Sequence, residues 1–240
     1  MNTTQKHYNK ECEDYDEGRV TGSPISKYLN EIEQEMIVKH FVGKRVLELC
    51  CGTGRFAKNI VGRGYEYIGI DFSKGMLSKA RAKKVPHTKF IQMDVRRIGA
   101  MNMKFDNIFV ARAMKFWPDA QQTIYDCYKL LNKNGRLILS FMNRDHPIFR
   151  LIYFLSTKFG LKIRKIRIFR CQHVGNEQYY LKKDVINMLD NAGFKIIYKR
   201  SYLNFAFYTF FHTKWMANFV RRYDNKFNYG WRNVIVGVKK

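Results

Sequence analysis

Acidic residues are what this chain of 240 residues is short of: 20 Asp and Glu stand against 44 Lys and Arg, giving a formal net charge of +24. A disordered basic chain is nevertheless excluded, because 46% of the residues are hydrophobic and can supply a packed core. Proline is scarce, and no Pro- or Ser-rich linker, internal repeat or low-complexity block divides the chain. The five cysteines, Cys12, Cys50, Cys51, Cys127 and Cys171, are odd in number and lack ligand spacing. That pattern argues against a disulfide framework or a metal site, and for reduced thiols in a cytosol. The amino terminus, MNTTQKHYNKECED, lacks the apolar core of an export signal. The longest uncharged run, 201–213, is shorter than the ~20 apolar residues that a membrane span needs. A cytoplasmic protein is expected, able to touch a membrane surface without crossing it.

What charge there is lies unevenly. Residues 1–40 carry a net −3, residues 41–143 a net +12 and residues 144–240 a net +15. The last part is also the most aromatic, with 13 Phe, Tyr and Trp in the 34 positions of 198–231. Just upstream, Ile148–Arg170 interleaves apolar residues with seven Lys or Arg and no acid. That pattern suits either an amphipathic helix on an anionic bilayer or a strand with a basic face.

Between these regions, short runs rich in Val, Ile and Phe alternate with amphipathic stretches. Arg45–Cys50, Glu66–Ile70, Thr88–Met93, Phe105–Val110 and Arg136–Met142 read as buried strands, and Arg55–Val61, Lys74–Lys83 and Asp119–Leu131 as helices. The last of these places Ile124, Cys127, Tyr128 and Leu131 on one face. A further helix, Leu181–Asn191, ends before Gly193, and strands are expected at Phe194–Tyr198 and Asn233–Val238. Strands separated by helices require right-handed crossovers, so the prediction is an α/β, Rossmann-like, doubly wound sheet. Its final two strands should join as a hairpin-like pair.

The most informative stretch is 46–77, VLELCCGTGRFAKNIVGRGYEYIGIDFSKGML. One strand carries Glu48 and runs into Cys50-Cys51-Gly52-Thr53-Gly54 before a helix, and a second ends in Asp71. Glycines let the chain turn tightly with a ligand against its backbone, and an acid at the second strand's tip can accept both hydroxyls of a ribose.

These residues resemble the class I S-adenosylmethionine-dependent methyltransferases, over about residues 41–200. Val46–Gly54 is similar to that family's first motif, with Cys50 where its first glycine stands. The resemblance implies a seven-stranded sheet whose last strand is antiparallel, and S-adenosylmethionine as cofactor. It places Glu48, Cys50, Gly52 and Gly54 in the donor loop, Asp71 on the ribose, Phe72 and Met76 beside the adenine, and Met93, Asp94 and Val95 at the adenine's edge. Ala111, in VARAMKFWPD (110–119), would line the methyl donor, and Leu130–Ser140 is similar to the run before the family's fifth strand, with Lys133-Asn134-Gly135 for Pro-Gly-Gly. Tyr8, Tyr15 and Arg19 fall in a segment like the amino-terminal lid of related enzymes, where an aromatic and an Arg reach the donor's carboxylate. The implied organisation is a helical lid over 1–40, a donor-binding core over 41–144, a basic cap over 145–180 and, over 181–240, the rest of the core with an aromatic cap segment.

A dinucleotide is the rival cofactor, since Gly52-x-Gly54-x-x-Ala57 fits a relaxed dinucleotide fingerprint. Glu48, Asp71 and Asp94 at successive strand tips suit a sulfonium and an ammonium better than a pyrophosphate. Candidate catalytic bases are His146, His173 and His212, with Lys115 and Arg112 after the fourth strand, where the acceptor would lie. Three functions stay open. The leading one is methyl transfer to an amphipathic small-molecule or lipid-like acceptor held under a cap formed by 145–180 and 200–231. The second is an RNA methyltransferase using the basic, aromatic carboxyl-terminal region. The third is a non-catalytic scaffold. The surplus charge points to an anionic membrane or acceptor first and RNA second, against a background in which an AT-rich genome alone enriches Lys and Asn.

Overall fold

The computed structural model describes residues 3–17, 22–147, 150, 154, 178–202, 230 and 232–240. Arg19, His173 and His212, most of the basic stretch Ile148–Arg170 and most of the aromatic segment lie outside the described residues.

Seven strands form one sheet: β1 (Arg45–Leu49), β2 (Glu66–Asp71), β3 (Thr88–Gln92), β4 (Phe105–Ala111), β5 (Leu131–Met142), β6 (Phe194–Tyr202) and β7 (Arg232–Lys239). Their order is β3-β2-β1-β4-β5-β7-β6, with β1 to β5 parallel and β7 antiparallel to both its neighbours. The helices are α1 (Thr3–Glu11), α2 (Pro24–Val38), α3 (Ala57–Gly62), α4 (Lys74–Ala82), α5 (Ala120–Leu130) and α6 (Lys182–Asn191). Among the described residues, no helix is long and apolar enough to cross a membrane.

The predicted strands and helices are all present, with shifted ends. β5 begins at Leu131, so this residue leaves α5 and pairs with Phe105. Asn134, in the segment where the family has Pro-Gly-Gly, takes φ 62°, a left-handed conformation that Asn tolerates. α5 itself starts where Asp119 accepts a hydrogen bond from the Gln122 N–H at 2.9 Å.

Both faces of the sheet are apolar because its strands are covered on both sides. On one face Leu47, Leu49, Ile108, Val110 and Leu139 pack against Ile124 and Cys127 of α5 and Val185 and Leu189 of α6. On the other, Val46, Phe109, Ile138 and Val234 pack against Ile37 of α2 and Ile60 of α3. The parallel crossovers bring the carboxyl ends of β1 to β5 to one edge. Insertion of β7 between β5 and β6, with Tyr202 opposite Arg232 and Arg232 opposite Met142, adds the end of β6 and the start of β7 to that edge.

Candidate functional site

The loop after β1 is built on positive φ angles: Cys50 at 56°, Gly52 at 55° and Gly54 at 66°. The two glycines serve different ends. A Cβ on Gly54 would lie 2.9 Å from the Phe90 ring and 3.3 Å from the Ala80 methyl, so this glycine permits close packing. A Cβ on Gly52 would meet nothing within 4 Å, so the backbone there borders open space. Cys50 holds a left-handed conformation without glycine's freedom, at a cost of ~1–2 kcal/mol. Its thiol is pushed up by burial and by the nearby Asp71, so it stays protonated.

Asp71 closes the loop from β2. Its Oδ2 accepts the Gly52 N–H at 2.9 Å and its Oδ1 the Ser73 N–H at 2.8 Å, and the Phe72 N–H also acts on the carboxyl group. Burial pushes the carboxyl up to about 6, against the pull of those backbone N–H groups. Glu48 departs from the expectation of an ionised strand-tip acid. It lies within β1, fully buried, and its Oε2 accepts the Tyr67 hydroxyl at 2.5 Å. Burial raises it to about 8, opposed by that hydrogen bond and by Arg55, so at neutral pH it is largely protonated.

Beside Asp71 opens a cleft of about 650 Å³ lined by Phe72, Met93, Asp94, Gln5, Gln92 and Arg96 among others. Three of the predicted adenine-side residues, Phe72, Met93 and Asp94, therefore share one cavity. Asp94 also caps the short 3₁₀ turn that follows β3, accepting the Arg96 N–H at 3.0 Å, and forms a fork with the Arg96 guanidinium that holds its carboxyl below the usual range. Val95 and Met76 are buried and do not line the cleft; Met76 lies on the buried face of α4, whose first turn is capped by Ser73.

α1 lies over this region. Asn9 Oδ1 accepts the Ser73 hydroxyl at 2.7 Å and the Gly75 N–H at 3.2 Å, and Gln5 donates to the Phe72 carbonyl at 2.7 Å. Beyond α1, Asp16 accepts the Thr53 hydroxyl at 2.6 Å and pairs with Lys83 at 2.5 Å. Tyr8 stacks edge-on against Tyr15 and against Phe116, which follows β4. The predicted lid aromatics thus reach across the edge of the sheet.

The other half of the edge was not foreseen. Glu33 of α2, wholly buried, is shared by three guanidiniums: Arg55 at 2.7 Å, Arg112 at 3.0 Å and Arg232 at 3.6 Å. The Ser140 hydroxyl donates to it at 2.9 Å and the Tyr202 hydroxyl at 3.3 Å. Burial works to raise the Glu33 carboxyl, but Arg112, Arg55 and Arg232 outweigh it and hold the group well below the ordinary carboxylate range. Burial and the neighbouring Arg55 bring Arg112 down to about 10, still cationic at neutral pH. Arg112 follows Ala111 directly at the end of β4, with φ 64° and its N–H donated to the Ser140 carbonyl at 2.8 Å. Sequence reasoning singled out Arg112 but missed Glu33, Ser140, Tyr202 and Arg232. The available signal was an acid at position 33 in step with Leu29 and Ile37 on the apolar stripe of α2.

Of the candidate bases, Lys115 lies in the turn after β4 with its Nζ 4.7 Å from the Phe116 ring centre and 5.7 Å from that of Tyr179. His146 is buried beyond β5, and burial lowers its pKa. Among the described residues no cluster of His, Cys, Asp or Glu forms a metal site.

Residues 46–135 match a family described as a methyltransferase domain. The chain is 26% identical over 175 residues to the demethylmenaquinone methyltransferase of Oceanobacillus iheyensis, covering 67% of this chain and 73% of that protein. It is 28% identical over 125 residues to a ubiquinone biosynthesis O-methyltransferase of Alkalilimnicola ehrlichii, covering 50% of each. Its fold matches a Thermotoga maritima S-adenosylmethionine-dependent methyltransferase with a TM-score of 0.68 at 17% identity, over 99% of this chain and 100% of that one. It also matches the Synechocystis magnesium protoporphyrin IX methyltransferase, solved with S-adenosylhomocysteine, with a TM-score of 0.61 at 15% identity over 90% and 86% of the two chains. With the glycine loop, the strand-tip acid and the antiparallel seventh strand, these matches show that the chain carries an S-adenosylmethionine-dependent methyltransferase domain of the class I fold, an enzyme domain whose cofactor is S-adenosylmethionine.

Proposed function

We propose that the enzyme methylates an amphipathic small molecule of quinol-like character, with the donor held along β1 to β3 and the acceptor over the ends of β4 and β5. The observation that carries the donor site is the open space at Gly52 beside the Asp71 carboxylate. The Asp71 carboxylate accepts from the ribose hydroxyls, Phe72 and Met93 flank the adenine in the cleft, and Asp94 accepts from its amino group. Tyr15 closes over the donor from the amino-terminal side. Glu48 acts beneath the loop: its hydrogen bond with Tyr67 fixes β1 against β2, and a cation brought in with the donor favours its ionised form.

The cofactor supplies a methyl group already activated by a sulfonium charge, so the residues of this chain have little bond-breaking to assist. Their contribution is proximity, alignment and exclusion of water. α1, tied down by Asn9 and Gln5, covers the donor side, and Tyr8 and Phe116 wall the passage between the two halves. Lys115 and His146 are the described groups placed on the acceptor side to take a proton from an acceptor hydroxyl; His173 and His212 are the remaining candidates. The relatives named as quinone-pathway methyltransferases support a small aromatic acceptor. An apolar acceptor tail and the basic, aromatic carboxyl-terminal region also suit contact with an anionic membrane surface.

The test is transfer of labelled methyl from S-adenosylmethionine to a panel of polyprenylated quinols with and without a ring carboxylate, with total RNA as the competing substrate. Label in the organic extract is expected. Label recovered in RNA with none in the quinols would replace this reading with an RNA methyltransferase.

A further inference from the structure

Among the described residues, Arg55 and Arg112 alone already outnumber the one carboxylate of Glu33, on which Arg232 also converges. Buried charge is costly unless paired, so such an excess favours binding of a further anion. The three arginines are not equivalent. The side chains of Arg55 and Arg232 are 7% and 11% exposed, whereas that of Arg112 is 25% exposed. Arg112 meets Glu33 through Nε, and a guanidinium has four further N–H donors on its two Nη atoms, arranged as a fork that matches an oxyanion.

The position of the cluster points the same way. Arg112 follows β4, Ser140 lies near the end of β5, Tyr202 ends β6 and Arg232 begins β7, so the cluster runs along the carboxyl edge from β4 to β7, and Arg55, which follows Gly54 directly, ties it to the donor loop. Arg112 holds a left-handed conformation that a side chain rarely adopts, and the surrounding hydrogen bonds keep it there. Tyr15, from the lid, lies within electrostatic reach of Arg112. The sequence segments that follow β5 and β6 are poor in acids to neutralise the excess: 148–177 contains only Glu177, and 203–229 only Asp224.

We propose that Arg112, backed by Arg55 and Arg232 on Glu33, binds an oxyanion, a carboxylate or phosphate, carried by the methyl acceptor. The amphipathic acceptor then has an anionic end anchored at the ends of β4, β5 and β7, which fixes its reacting atom relative to the donor. This rests on the proposed division of the edge into donor and acceptor halves. The donor also carries a carboxylate, so the same chemistry has two sources, and the experiment must separate them.

Benzoate and inorganic phosphate serve as probes in calorimetric titrations of the wild-type protein, free and saturated with S-adenosylhomocysteine, with benzyl alcohol as the neutral control. At least one anion is expected to bind the loaded protein with unit stoichiometry, while benzyl alcohol binds at least tenfold more weakly than benzoate. Arg112→Gln should weaken anion binding at least tenfold with S-adenosylhomocysteine affinity changed less than twofold, and Arg112→Lys should fall between. If Arg112→Gln does not fold, Arg112→Lys and Arg232→Lys are read in the same titrations. Anion binding to the free but not the loaded protein, or a tenfold loss of S-adenosylhomocysteine affinity in Arg112→Gln, would assign the cluster to the donor's carboxylate and overturn the proposal. So would anion binding that is absent, or unchanged in the variants. Failure of the wild type to bind S-adenosylhomocysteine at all would count instead against the proposed donor site.

Discussion

The two halves of the sheet's carboxyl edge treat buried charge in opposite ways. Over β1 and β2, the acids Glu48 and Asp71 are buried with hydrogen-bond donors and, among the described residues, form no salt bridge, and burial outweighs the pull of Arg55 on Glu48 and moves both toward their neutral forms. Over β4, β5 and β7, Glu33 is buried more deeply still, yet three guanidiniums keep it ionised. Burial alone therefore does not decide ionisation; the partner does. The first half is left ready for a cation and the second for an anion, which matches a cationic donor on one side and, in the proposal above, an anionic acceptor group on the other.

The most severe way to break this contrast is to remove the carboxylate from the arginine half. Glu33→Ala strands three guanidiniums in a buried setting and should destabilise the protein by about 3–5 kcal/mol, read as a lower midpoint in urea unfolding. A loss below about 1 kcal/mol would mean the cluster is solvated and the contrast false. In the other half, Asp71→Ala removes the acceptor of the proposed ribose hydroxyls and should weaken S-adenosylhomocysteine binding about a hundredfold, since hydrogen bonds to charged groups are worth ~1.5–3 kcal/mol each.

The acids also set a pH dependence. Glu48 has a folded-state pKa raised from 4.5 to about 8, so between those values the folded chain holds a proton that the unfolded chain has lost. Stability of the ligand-free protein should accordingly be greatest at the acid side of that window and fall as pH rises from about 5 to 8. Thermal melts across this range should show a shallower slope in Glu48→Gln; an unchanged slope would show that Glu48 does not titrate there. The smallest expected effect is at the lid. Asn9→Ala removes the acceptor for Ser73 and Gly75 and should weaken S-adenosylhomocysteine about fivefold, the size of one ordinary hydrogen bond of ~1 kcal/mol.

The two halves also differed in how far they could be read from sequence. The donor half is local in the chain: Cys50 to Gly54 follow β1, Asp71 ends β2 and Asp94 stands two residues after β3, strands that Val, Ile and Phe announce, so spacing alone places them together. The exceptions there are matters of side-chain direction. Glu48 turns to Tyr67 and Met76 turns into the core, and neither choice is visible in a motif. The arginine half is assembled from residues 33, 55, 112, 140, 202 and 232, and it depends on β7 entering between β5 and β6. Arg232 is one of 44 basic residues and carries no mark in the sequence. Its partner Glu33 does carry one, as an acid on an apolar helix face, but that signal says only that a cation must come, not from where.

The central claim is that the carboxylate half of the edge is the donor site. Calorimetric titration of S-adenosylhomocysteine into the wild-type protein and Asp71→Ala, with NAD as the control ligand, tests it most directly. One molecule should bind per wild-type chain, Asp71→Ala should lose about a hundredfold in affinity, and NAD should give no heat. Equal affinity in the two proteins, or binding of NAD in place of S-adenosylhomocysteine, would contradict the account.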